Sequence, residues 1–74
     1  MHLVDVEQGI WVRVVGFDGG VRLKRRLIQH GLYPGDQARV LRAAPLNGPL
    51  LVEVSGREIA IGRGVVEKIL VEPA

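Results

Sequence analysis

The sequence predicts an all-β fold of five short strands with one short helix inserted after the first, and three observations carry that prediction. Runs rich in Val, Ile and Leu alternate with polar residues between turns marked by Gly and Pro. One stretch alone, from Val21 to His30, switches to helical spacing and closes on an explicit stop signal. The chain has 74 residues, 47% of them apolar, with Trp11, Phe17 and Tyr33 as its only aromatics, which predicts one domain (1–74) around an aliphatic core. A domain this short buries only about 60% of the surface of its unfolded chain.

The elements follow in order. Ile10 to Phe17 is β-branched and aromatic, with Ile10, Val12 and Val14 alternating against Trp11, Arg13 and Val15, and forms the first strand. Asp18 is placed to cap the helix that follows, and Gly19 and Gly20 let the chain turn into it. Within the helix Leu23, Leu27 and Ile28 share one side, while Arg22, Arg25, Arg26 and Gln29 share the other. Gly31 stands where a left-handed residue ends a helix, Leu32 is placed to fold back on the last turn, and Pro34 forbids continuation.

Pro34-Gly35-Asp36 then turns into a second strand, Gln37 to Ala43, in which Leu41 breaks the alternation and implies a bulge or a sharp bend. Leu50 to Ser55 and Glu58 to Ile61 form a hairpin. A loop at Gly56-Arg57 sets Val54 across from Ile59, whereas a loop at Ser55-Gly56 sets Val54 across from Arg57; the first keeps apolar partners together. Gly62 to Glu67 makes a single helical turn, Ile69 to Val71 a last strand, and Glu72-Pro73-Ala74 a frayed tail. Five such strands bury most by closing on themselves, which predicts a small SH3-like five-stranded barrel.

Composition excludes several function classes. There are no cysteines, so disulfides, thiolate metal sites and cysteine nucleophiles are absent. Ser55 is the only serine and lies in a hairpin, neither histidine has a motif pairing it with a nucleophile, and no glycine-rich stretch ends in the Gly-Lys-Ser/Thr of a phosphate loop. The chain is therefore read as a non-enzyme without a cofactor. No apolar run approaches the roughly 20 residues that cross a bilayer, and Met1 to Glu7 lacks the basic and apolar regions of a signal peptide, so a cytoplasmic protein is expected. His2, Asp5, Glu7 and His30 are of types that ligate ferrous iron, but their spacing forms no chelating pair and no metal site is assigned; His30 is expected to serve the helix's free carbonyls and His2 to be mobile.

Two regions are candidates for binding a partner. The formal net charge is only +2, yet four of the ten basic residues lie between Arg22 and Arg26. Arg22, Arg25 and Arg26, with the neighbouring Tyr33, form either a solvated face or a docking surface, and nucleic acid is not the expected partner because stacking aromatics are scarce. The second region is the loop Ala44 to Leu50, where Asn47-Gly48 marks a turn and two prolines stiffen the arms; Leu46 either projects from the tip or folds back over an open end of the barrel.

An ordered set of residues then resembles a known family. Arg26-Leu27, Gly31-Leu32, Pro34-Gly35-Asp36, Ala44-Pro45, Gly48-Pro49, Val52, Ile59-Ala60-Ile61, Lys68-Ile69 and Val71, spread over about Asp5 to Val71, are similar to the FeoA family of small ferrous iron transport accessory proteins. The resemblance implies an SH3-like barrel in a bacterial or archaeal cytosol. It implies as partner the cytosolic domain of a FeoB-type transporter, and kinship with the SH3-like domain of iron-dependent repressors. Gly64-Val65-Val66 departs from the family, standing where many relatives carry a more polar helical turn. Two other readings stay open beside docking: an arginine from the helix acting in trans on the transporter's GTP hydrolysis, and a small nucleic-acid-binding barrel.

Overall fold

Five antiparallel strands and one helix of about two and a half turns are built from segments close to those the alternation predicts. The computed structural model describes residues 1–74. The strands are β1 (Val12–Phe17), β2 (Gln37–Ala43), β3 (Leu50–Val54), β4 (Arg57–Ile61) and β5 (Ile69–Pro73); α1 (Val21–Gln29) follows β1, and the single turn α2 (Arg63–Val66) precedes β5. They pair in the order β4-β3-β2-β1-β5, a curled SH3-like sheet. Pairing does not close it. β4 and β5 are the two ends of the ladder, so the barrel carries a seam where closure was expected.

Two bulges provide the curl. The register of β2 on β3 shifts between Val40 and Arg42, at the Leu41 that broke the alternation. The register of β1 on β5 shifts between Val14 and Gly16. This second bulge turns Val15 outward and brings Phe17 onto the same inner face as Val12 and Val14. Fifteen residues are buried, all apolar, and Phe17 is the only aromatic among them.

The hairpin takes the other of its two registers. Val54 pairs with Arg57, Val52 with Ile59 and Leu50 with Ile61, so the loop is Ser55-Gly56. Both loop residues have positive φ, 51° and 79°, the pattern that matches the right-handed twist of the flanking strands. Turn geometry outweighs the apolar pairing of Val54. The register also sends the Arg57 guanidinium to the end of α1, where it donates to the Gly31 carbonyl at 3.1 Å.

The chain ends are more ordered than expected. Residues Leu3–Asp5 form a 3-10 turn packed on β5 and α2, with Leu3 fully buried. The Met1 carbonyl accepts from the Val71 N–H at 2.8 Å, and His2 bridges to Leu70. His2 is thus fixed along β5, its Nε2 lying 3.5 Å from an Asp18 carboxylate oxygen. At the other end β5 runs on to Pro73, and Glu72 meets Arg13 at 3.4 Å instead of fraying. β1 begins at Val12 rather than Ile10, and Ile10 is exposed.

Candidate functional site

Helix α1 is fixed at its end rather than its start. The N-cap is Gly20, which has no side-chain bond, and Asp18 does not cap but lies beside His2 while its N–H donates to the Lys68 carbonyl at 2.6 Å. The C-terminus is closed on both counts expected of a left-handed glycine stop. Gly31 has φ of 87°, its N–H donates to the Ile28 carbonyl at 2.9 Å, and the Leu32 N–H reaches back to Leu27 at 3.0 Å. Leu32 and Leu27 are both buried, which clamps the last turn onto the barrel.

The inner face of α1 is narrower than its spacing implied. Leu27 is buried and Leu23 partly so, but Ile28 is 41% exposed. Ile28 instead borders a surface groove with Val15, Phe17, Lys24, Pro34 and Leu70, because the β1 bulge leaves the barrel wall recessed there.

Arg22, Lys24, Arg25 and Arg26 are all exposed, and none has a carboxylate partner. The ion pairs of the chain lie elsewhere: His2 with Asp18, Arg13 with Glu72, and Arg39 with Glu53 at 2.7 Å. No acidic residue occurs in α1, so its positive field is uncompensated along the whole outer face. Tyr33, 49% exposed, follows directly; its N–H donates to Asp36 at 2.9 Å, which holds the turn out of the helix.

The loop between β2 and β3 resolves its two readings in favour of projection. Leu46 is 98% exposed. The Gly48 N–H donates to Pro45 at 3.1 Å and the Ala44 N–H to Pro49 at 2.9 Å, closing a tight turn. Its central residues are Leu46 and Asn47, with φ of 59° and 57°, one position earlier than the Asn-Gly signal implied. A branched apolar residue is therefore held in a left-handed conformation at the tip, with nothing packed over it.

The two candidate regions adjoin along β4. Ala60 borders both the groove of about 360 Å³ at the foot of the loop and the cleft at the end of α1 that Arg26 and His30 line. No hydrogen bond or ion pair joins Leu46 to Arg22, Arg25 or Arg26, so the two regions meet only through the grooves that share Ala60. Elsewhere the Trp11 ring is covered by the Arg39 guanidinium, 4.8 Å from its centroid, while Arg39 also binds Glu53. Phe17 is buried, so Tyr33 is the one aromatic open beside the basic helix.

His2 and His30 lie in different places, one along β5 and the other capping α1, and the fold gathers no group of three or more His, Asp or Glu side chains. The His30 side chain makes no bond to the helix carbonyls, because backbone N–H groups already take those of Arg26, Leu27 and Ile28. No helix is long and apolar enough to cross a membrane.

Comparison with known proteins bears on the same chain length. The FeoA domain model matches residues 1–73. The chain is 38% identical over 72 residues to the protein named Fe(2+) transport protein A in Methanocaldococcus jannaschii, covering 97% of this chain and 85% of the relative. A crystal structure of an iron uptake regulatory protein (FeoA) superposes with a TM-score of 0.86 at 30% identity, covering 97% of this chain and 93% of the other. The solution structure of iron(II) transport protein A from Clostridium thermocellum gives a TM-score of 0.89 at 25% identity over 99% of this chain, which spans 45% of that chain. A manganese-dependent transcriptional repressor, at 19% identity and a TM-score of 0.88, shares the fold over 41% of its length. With the family model spanning nearly every residue and the fold superposing on its solved members, the chain belongs to the FeoA family.

Proposed function

We propose that this protein is a non-enzymatic, cytoplasmic accessory of ferrous iron uptake that docks on the cytosolic part of a FeoB-type membrane transporter. The observation that supports this reading is the uncompensated outer face of α1: four exposed cations in a nine-residue helix, with every ion pair of the chain made elsewhere. Arg22, Arg25 and Arg26 supply long-range attraction, and Leu46, at the tip of a turn that holds it out of the core, supplies an apolar anchor. Tyr33 adds an amphipathic side chain beside the helix. The pairing of covered Trp11 with buried Phe17 leaves no platform of stacking aromatics, which weighs against nucleic acid.

A rim charge acts mainly on encounter, an apolar anchor on escape. Arg25→Glu combined with Arg26→Glu is expected to slow association with the transporter's isolated cytosolic domain and to flatten its salt dependence. Leu46→Asp is expected to speed dissociation. The arginine variant should keep the parent melting transition, since both side chains are exposed, and Leu46→Asp should not lower it, since Leu46 is exposed and aspartate tolerates its left-handed conformation. Surface plasmon resonance at two salt concentrations separates the rates, and parent-like binding by both variants would remove both surfaces from consideration. The same titration followed by GTP turnover tests the arginine reading: a helix arginine acting in trans raises turnover by about 10³ or more, whereas docking alone leaves it near the basal rate.

A further inference from the structure

The cleft at the end of α1 has a chemistry that docking by a charged face does not use. It is a recess of about 140 Å³ between the last turn of α1 and the junction of β4 with α2, lined by Arg26, His30, Ala60, Ile61, Gly62 and Val65. Arg26 and His30 are four residues apart, so they stand one above the other on the wall facing β4. Neither side chain has a hydrogen-bond or ion-pair partner in the protein. The helix end does not occupy them either: the carbonyls of Arg26, Leu27 and Ile28 accept from backbone N–H groups and that of Gly31 from Arg57. Arg57 thereby adds a second guanidinium to the same turn. Arg63, on α2 between the Gly62 and Val65 that wall the recess, keeps its Nε buried with no acceptor. No carboxylate lines the cleft.

A small recess walled by unpaired donors on one side and by apolar and glycine surface on the other lacks an acceptor. We infer that this cleft is a binding site for a small oxyanion, a phosphate group or a carboxylate, held between the Arg26 guanidinium and the His30 imidazole. Arg26 presents a planar fork suited to two oxygens, and His30 offers a ring N–H from one turn further along. The site shares Arg26 with the proposed docking face but does not depend on docking.

The test is a titration of the ¹⁵N-labelled protein with inorganic phosphate, and separately with acetate, at fixed pH and with ionic strength held constant by sodium chloride. Saturating shifts confined to Arg26, His30, Gly62 and Val65 are expected. Arg26→Gln and His30→Gln should each weaken half-saturation at least tenfold, while Arg42→Gln, which removes the same charge from the neighbouring groove and not from the lining of the cleft, should not change it. Saturation by phosphate alone assigns a phosphate group as the ligand, and saturation by both assigns any oxyanion, including an acidic side chain of a partner. Drift that never saturates, or equal weakening by Arg42→Gln, overturns the site. Because the docking test reads Arg25 and Leu46 as well, a failed cleft leaves that reading standing and a failed docking leaves the cleft.

Discussion

Leu46 is the residue whose conformation and surroundings pull in the same direction against stability. At φ of 59° its Cβ crowds the backbone, and at 98% exposure it gains nothing from burial. A left-handed non-glycine residue costs on the order of 1–3 kcal/mol, and such residues persist where something other than folding selects them. Asparagine adopts this region readily, so Leu46→Asn is expected to raise stability by about 0.5–1 kcal/mol in urea denaturation while weakening association with the transporter domain. An unchanged or lowered midpoint would show that Leu46 carries no strain worth releasing. From the sequence the loop and its apolar tip were legible, because two prolines and Asn-Gly bracket them. The direction of Leu46 was not, since a side chain at a turn can lie on either side of it and no local pattern decides which.

Among the elements, α1 is held by its stop. Gly31 is needed twice over: its φ of 87° strains any L side chain, and a Cβ there would lie 1.9 Å from an Arg57 guanidinium nitrogen. Arg57 can move, but it then gives up its bond to the Gly31 carbonyl. Gly31→Ala is therefore expected to lose about 1–2 kcal/mol by chemical denaturation, and a loss below about 0.3 kcal/mol would mean the turn finds another geometry. This stop was fully legible because Gly31, Leu32 and Pro34 encode it within four residues. The β3–β4 register was not. Pairing by hydrophobicity favours Val54 against Ile59, but two consecutive left-handed residues at Ser55 and Gly56 suit the hairpin twist, and the observed register makes apolar matches of its own, Val52 with Ile59 and Leu50 with Ile61. The same limit hid Ile28: helical spacing gives a stripe about 100° wide, and how much of it is covered depends on a bulge in β1 that the alternation does not announce.

For the molecule as a whole, the surprise is the first six residues. Leu3 is completely buried, and the segment lies along the outer edge of β5, the strand that the ladder leaves without a second neighbour. Nothing periodic surrounds Leu3, so its burial is set by the shape of the seam it fills rather than by its own neighbours in sequence. Leu3→Ala should remove about 2–5 kcal/mol, a large part of the roughly 4–11 kcal/mol that a chain of 74 residues commands; a midpoint shift no larger than that of an exposed substitution would mean the segment is not docked in solution. The seam also has a temporal meaning. β2, β3 and β4 meet across short connections, whereas β1 and β5 bring together Arg13 and Glu72, 59 residues apart, so the β2–β3–β4 meander pays little loop entropy and the last strand pays most. Refolding should then nucleate in the meander and dock β5 late. Val52→Ala is expected to slow refolding, and Val71→Ala chiefly to speed unfolding, in stopped-flow chevrons. A protein built this way releases its C-terminal strand and its N-terminal strap together when it first opens, and exposes the β1 edge long before the face that carries Leu46 is lost.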